Sequence, residues 1–255
     1  MFLLLLQYGC RRELLTDPDR IMDVLGVVPA RGGSKGIPRK NLAVAAGRSL
    51  LAWTADAAHA SNRLTRVIAS TDDAEIAQAA RVLDLEVPFI RSIALAADDT
   101  PILAVLQDLL SRLADTEQYE PDIVVLLQPT SPLRRADHID RAVDLLCDSG
   151  ADTVVSVVRV PHNFSPSSIL QETEGRVVPW GDAPTVTRRQ DKATLYARNG
   201  PAVVAVRPSV LKKYEGLYGR DTRFLEMTRA ESIDIDEPWD LELATWLIER
   251  RDMST

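Results

Sequence analysis

Short apolar, β-branched runs alternate along this chain with longer stretches whose apolar positions recur every three to four residues. The runs at residues 24–28, 67–70, 87–90, 123–127, 153–158 and 202–206 are almost continuously apolar, as strands covered on both faces are. The stretches between them read as helices. Asp72-Asp73-Ala74-Glu75 supplies an N-cap with a capping-box glutamate for a helix reaching about Leu83. Thr100-Pro101 opens a second, with Ile102, Leu103, Leu106, Leu109, Leu110 and Leu113 as its apolar stripe. Ile139, Ala142, Val143 and Leu146 mark a third, and Pro238 starts a last one carrying Leu241, Leu243, Ala244, Leu247 and Ile248. Strands alternating with helices predict an α/β fold, a mostly parallel, Rossmann-like sheet flanked by crossover helices.

The rhythm breaks at about residues 162–198, rich in Pro, Gly and charge, where Val177-Val178 suggests a small hairpin arm. Residues 1–21 read as a poorly ordered extension with Met22 as a plausible start, and 22–255 as one domain carrying the arm. Met1 to Leu6 is apolar but lacks a basic flank and is too short for a signal peptide or a span, so no membrane association is expected. The 45% hydrophobic content is ample for a core. A net charge of −7 argues against a nucleic-acid surface. Cys10 and Cys147 are too few and too far apart for a disulfide framework or a zinc site, and His59, His138 and His162 are scattered, so a reducing cytoplasm fits.

Chemistry concentrates just after the first strand, in Pro29-Ala30-Arg31-Gly32-Gly33-Ser34-Lys35-Gly36-Ile37-Pro38-Arg39-Lys40-Asn41. Three glycines leave room for backbone N–H groups to close around an anion, and four cations add positive charge. The spacing is neither the Walker pattern nor the dinucleotide fingerprint, which removes the familiar P-loop enzymes and the nicotinamide oxidoreductases. Strand C-termini are where open α/β sheets bind ligands, so this loop and Gln128-Pro129-Thr130-Ser131-Pro132-Leu133-Arg134 should share one edge. Arg31 and Lys40 are the candidate triphosphate clamp and carry the catalytic assignment, since chemistry at a phosphoryl group needs positioning and charge neutralisation. Lys35 and Arg39 serve equally well as exposed flank, and Asn41 either braces the loop or reaches ligand.

Asp234 and Asp236 stand two apart in Ser232-Ile233-Asp234-Ile235-Asp236. In an extended chain both carboxylates face one side, with Ile233 and Ile235 toward the core. Such a pair suits Mg²⁺, or Mn²⁺ in its place, with phosphates and water filling the octahedron. The competing reading makes Asp236 the N-cap of the last helix. Gln128 is held rigidly by its Pro-Thr-Ser-Pro turn, whose backbone groups its side chain could satisfy, and Arg134 either contacts ligand or caps that turn.

Three segments, Ala30 to Asn41, Leu127 to Arg134 and Ser232 to Asp236, resemble in order and spacing those of the acylneuraminate cytidylyltransferases, from about Leu25 to Leu247. The resemblance implies a nucleotidyltransferase fold in which Arg31, Ser34 and Lys40 contact nucleotide, and Gly32, Gly33 and Asn41 of the same loop are counted with them as nucleotide-binding. The turn Asp98-Asp99-Thr100 matches a segment near the cytosine ring, with Arg91 just upstream, so Arg91 and Asp99 join the nucleotide set. The implied acceptor contacts are Gln128, Arg189, Gln190, Arg198 and Asn199, and the arm would pack on a second subunit of a homodimer. Two departures concern the acceptor. Ser167 stands where the family has a lysine, and Ala197-Arg198-Asn199-Gly200-Pro201 replaces its Arg-Pro-Asn-Gly, with Arg188, Arg189 or Arg198 as substitutes.

The expected activity is therefore CMP transfer from CTP to the anomeric hydroxyl of a sialic-acid-like 2-keto-3-deoxy sugar acid, releasing pyrophosphate. Rival readings are CMP transfer to another acid, such as a phosphonate or a shorter keto sugar acid, and a non-catalytic nucleotide-binding module. The sequence nominates no nucleophile and no general base.

Overall fold

The computed structural model describes residues 22–181, 188, 190 and 192–252. The expected extension at 1–21 and the candidate Arg189 lie outside the described residues. In chain order the elements are β1 (Val24–Pro29), β2 (Val44–Ala45), β3 (Arg48–Ser49), α1 (Leu50–His59), β4 (Arg66–Ser70), α2 (Ala74–Val82), α3 (Ile102–Glu117), β5 (Ile123–Leu126), α4 (Ala136–Ser149) and β6 (Thr153–Arg159). There follow β7 (Leu170–Thr173), β8 (Arg176–Pro179), β9 (Tyr196–Arg198), β10 (Val204–Val206), α5 (Pro208–Lys213), β11 (Thr222–Met227) and α6 (Pro238–Asp252).

The main sheet has the order β11-β6-β10-β5-β1-β4, with β9 added beside β6. β1 pairs in parallel with both β4 and β5, and β11 with β6, while β10 and β9 run antiparallel. The chain leaves β1 on one side for β4 and returns on the other for β5, so a crevice opens beyond the C-terminus of β1.

Alternation along the strands feeds two cores. Val24, Val28, Ile123 and Val125 face α1, α2 and α4, whereas Leu25, Val27, Val124 and Leu126 face α3 and α5. A third, smaller core decides where the site forms. Ile37, Leu133 and Ile235, one from each of the three motif-bearing loops, pack with Ala45, Leu50 and the α6 residues Ala244 and Ile248. Burying one aliphatic side chain per loop draws three remote segments to one place.

Two local expectations are corrected. Residues 87–90 are not a strand: pairing stops at a single bridge from Glu86 to Ile68, because Pro88 has no N–H to extend a ladder. The α2 cap is Asp73 rather than Asp72, with its carboxylate accepting from the N–H groups of Glu75 (2.9 Å) and Ile76 (3.0 Å), so no capping box with Glu75 forms. The strand β11 has no counterpart in the hydrophobic pattern. It lies at the sheet edge and buries only Leu225 and Met227.

The arm is a hairpin of β7 and β8 joined through Glu174 and Gly175, both at positive φ as a two-residue turn requires. All eight of its strand residues are exposed, and Phe164, Leu170, Val177 and Trp180 each keep more than half of their surface open. No helix among the described residues is long and apolar enough to cross a membrane.

Candidate active site

The loop after β1 is held in shape by its own residues and by two acids from β4–α2. Asn41, almost fully buried, donates Nδ2 to the Arg31 carbonyl at 2.9 Å, so the loop's two ends are tied together. Two glycines are glycine for steric reasons. A Cβ on Gly36 would sit 2.2 Å from the Asp236 carbonyl oxygen, and one on Gly32 would sit 2.7 Å from an Asp73 carboxylate oxygen. Gly33 has nothing within 4 Å and faces open space. Arg39 turns away from the crevice, donating to both Asp73 oxygens at 3.1 and 2.9 Å and pairing with Glu75.

Opposite the loop lies the Asp234–Asp236 segment. Its backbone is fixed by the Ile235 N–H, which donates to the Thr130 carbonyl at 2.8 Å. The Lys40 ammonium donates to the Ile235 carbonyl (2.8 Å) and to Asp236 Oδ1 (2.9 Å), joining first loop to last. Asp236 does not cap α6. Asp240, in the first turn of α6, instead folds its carboxylate back to accept from the N–H groups of Asp236 (3.0 Å) and Glu237 (2.8 Å), fixing the backbone that leads into the helix. Asp234 points its Oδ1 into a buried place with no hydrogen-bond partner among the described residues, and burial pushes its carboxyl up from the ordinary range.

Between the two sides is a cavity of about 680 Å³ lined by Arg31, Gly33, Ser34, Lys40, Asn41, Arg91, Gln128, Asp234 and Asp236, among others. Residues drawn from five distant points of the sequence thus share one crevice at the predicted sheet edge. Gln128 enters it from the end of β5. Its backbone is fixed by fully buried Arg134, whose Nη1 donates to the Gln128 (2.9 Å) and Ala202 (3.0 Å) carbonyls. Arg134 therefore ties the β5 loop to the segment before β10 and does not line the crevice.

Other candidates fall elsewhere. Asp99 is exposed and outside the lining; its neighbour Asp98 lines the crevice instead. Arg198 stacks its guanidinium 5.6 Å from the centre of the Tyr218 ring, and Gln190 is exposed. Asn199 is buried, accepting from Ser156 Oγ (2.7 Å) and donating to Ser232 Oγ (3.0 Å), a role in joining β6 to the loop before Asp234. None of these three lines the nucleotide-sized crevice.

Asp98, which the sequence offers only as part of its turn while Asp99 is the candidate, lines the crevice. Its carboxylate lies 2.5 Å from Arg31 Nη1 and 2.7 Å from Lys35 Nζ, and these partners, Lys35 first, hold its carboxyl below the usual range. An incoming polyphosphate would compete with Asp98 for the same two cations. Asp98→Asn is accordingly expected to tighten binding of inorganic tripolyphosphate by several-fold in a calorimetric titration. Weaker binding would mean that Asp98 orders the loop instead.

A mixed, largely parallel sheet at one edge of which glycines, cations and a pair of carboxylates surround a crevice defines a polyphosphate-handling α/β protein. Residues 25–245 match the cytidylyltransferase family, and the chain belongs to that family. It is 34% identical to the CMP-N,N'-diacetyllegionaminic acid synthase of Legionella pneumophila over 230 residues, covering 89% of this chain and 97% of the relative. It is 33% identical to the N-acylneuraminate cytidylyltransferase A of Danio rerio over 222 residues, 87% of this chain but only 50% of that longer protein. Among solved structures, a CMP:2-keto-3-deoxy-manno-octonic acid synthetase complexed with CTP superposes over 90% of this chain and 99% of its own, with a TM-score of 0.66 at 18% identity. At that identity the likeness shows the fold alone.

Proposed function

We propose that this protein transfers CMP from CTP to the anomeric hydroxyl of a sialic-acid-like 2-keto-3-deoxy sugar acid and releases pyrophosphate. The observation that carries the reading is the crevice in which Arg31, Lys40 and Arg91 face Asp234 and Asp236 within a cytidylyltransferase family member. The named activities of the Legionella and Danio relatives support the acceptor class.

The donor set fits Mg²⁺, with Mn²⁺ as the alternative. Asp234 Oδ1 is a buried carboxylate oxygen lacking a partner, and Asp236 lines the same crevice. Among the described residues no three His, Cys, Asp or Glu side chains group for a metal, so two carboxylates would hold the ion and leave the remaining positions to phosphate and water. When bound, the ion neutralises charge on the phosphates. Arg31 and Lys40 are read as holding the triphosphate, with Arg91 beside them. Ser34 and the loop N–H groups give directional contacts. The acceptor oxygen forms a bond to the α-phosphorus, the bond to the β-phosphate oxygen breaks, pyrophosphate departs, and the hydroxyl proton passes to solvent. Positioning and charge neutralisation account for catalysis, with no side-chain nucleophile.

Gln128 remains the acceptor contact inside the crevice. The acceptor carboxylate is bonded to the anomeric carbon that reacts, so it is read as lying in the same crevice as Gln128; the cavity of about 560 Å³ lined by Arg159, Lys192 and Arg229 shares no residue with that crevice. An exposed apolar arm supports a homodimer, and the cytoplasm, which holds CTP, is the proposed compartment.

The test combines binding with turnover. CTP with Mg²⁺ is expected to raise the melting temperature by roughly 5–10 °C at a hundred times its Kd, more than ATP or GTP does. Pyrophosphate release should follow addition of a nine-carbon keto acid, and the same sample should sediment as two chains. Equal protection by a purine nucleotide would overturn the cytidylyl reading. Release with only a phosphonate or a shorter acid would move the acceptor to the rival class.

A further inference from the structure

Asp72 is an acid placed where an acid should do harm. It lies beneath the loop read as the triphosphate clamp, and a negative charge there opposes a polyanion. Its carboxylate is nonetheless mostly buried, at 16% exposure, and it does not cap α2, since Asp73 does. A single oxygen, Asp72 Oδ1, accepts from the Gly32 N–H at 3.2 Å and from Arg91 Nη2 at 3.3 Å. The next residue, Asp73, grips Arg39 at the far end of the loop and fills the space beside Gly32. Two consecutive acids therefore hold the loop at both ends, and Asp72 alone also reaches Arg91.

Arg91 needs such a partner. It is 5% exposed, its backbone N–H is fixed to the Thr71 carbonyl at 2.8 Å, and its Nε has no hydrogen-bond partner among the described residues. It lines the crevice with Arg31; burial lowers its pKa, and the charge of Arg31 acts in the same direction. Two guanidiniums facing one cavity repel each other unless an anion lies close by. In the free protein Asp98 lies against Arg31, and Asp72 is the anion against Arg91.

We propose that Asp72 is a positioning residue that presets Arg91 and the Gly32 amide as a pair of polyphosphate donors. The inference rests on the reading of this crevice as the CTP site. Preorganised donors bind without first being ordered, and that gain outweighs the repulsion from one buried, twice hydrogen-bonded carboxylate.

The sign of one mutational effect tests this. Asp72→Asn removes the charge but keeps an acceptor for the Gly32 N–H, and Asp72→Ala removes both. If Asp72 were only an unfavourable charge, both variants would bind inorganic tripolyphosphate more tightly. If it were a helix cap, Asn would match Asp in both stability and binding. Positioning predicts that tripolyphosphate and CTP bind roughly three- to ten-fold more weakly to Asp72→Asn and roughly ten- to a hundred-fold more weakly to Asp72→Ala. Cytidine, which has no phosphate, should bind all three proteins alike. The titrations are made on the full chain at a temperature where circular dichroism shows each variant folded. Should Asp72→Ala not fold, Asp72→Asn decides alone. Unchanged or tighter tripolyphosphate binding by Asp72→Asn overturns the inference. If the parent protein itself binds neither CTP nor tripolyphosphate, the reading of the crevice fails first, and the inference with it.

Discussion

Asp236→Asn is expected to lower turnover by roughly two to three orders of magnitude while leaving the melting temperature unchanged. Asp236 is 76% exposed, so its own side chain contributes little to stability, and the backbone entering α6 is held by Asp240. What the substitution removes is one of two carboxylate arms facing the phosphate loop, together with the anionic partner of Lys40 at 2.9 Å. The two losses separate in a Mg²⁺ titration. Loss of an ion ligand raises the Mg²⁺ concentration needed for half-maximal rate, whereas a freed Lys40 alone leaves it in place. Asp234→Asn should cost somewhat less turnover, since an amide oxygen still occupies the buried position now lacking a partner. Near-normal, Mg²⁺-dependent turnover in Asp236→Asn would end the metal assignment.

Gly36→Ala should be the most damaging single methyl in the loop, and Gly33→Ala nearly silent. At Gly36 the added carbon would lie 2.2 Å from the backbone oxygen of Asp236, which has no rotamer to yield. Either loop or carboxylate segment must move, at a cost of about 1–3 kcal/mol for overpacking. A displacement of order 1 Å at the reacting centre lowers turnover by roughly a hundred-fold. At Gly33 nothing stands within 4 Å and φ is ordinary, so stability should change by no more than about 0.5 kcal/mol. Melting curves and CTP-dependent pyrophosphate release on both variants check the contrast. Equal effects at the two glycines would mean that the loop does not press against the Asp236 backbone.

Gly36 also shows how much of this site was legible in the chain and how much was not. The glycines and cations after β1 announce an anion loop, because a missing Cβ and a fixed charge are properties of each residue wherever it goes. The chain cannot say which glycine faces solvent and which faces another backbone. Likewise, five buried-type strands and the helices α2, α3, α4 and α6 are readable because period-two and period-3.6 burial are local, whereas α1 is not among those read. Residues 87–90 misled for a related reason: apolar character promises burial, which Val87 has, but pairing needs a donor that Pro88 lacks.

The candidate residues that came together did so by contacts no local pattern encodes. Lys40 meets Asp236 across 196 residues, and the small core of Ile37, Leu133 and Ile235 that draws the three loops together joins segments equally remote in sequence. Charge assignments divide in the same way. Asp72 and Asp73 are equivalent as a dipeptide, yet one caps α2 and the other turns to Gly32 and Arg91. Asp98, not Asp99, faces Arg31, and Arg198 spends its charge on Tyr218 rather than in the crevice. Composition and periodicity settle the α/β class, the sheet edge and the polyphosphate chemistry, since those follow from side-chain size, burial and charge taken one segment at a time. Which acid meets which cation was decided only by the packed chain, because Coulomb and hydrogen-bond energies fall off within a few ångströms and depend on neighbours in space rather than in sequence.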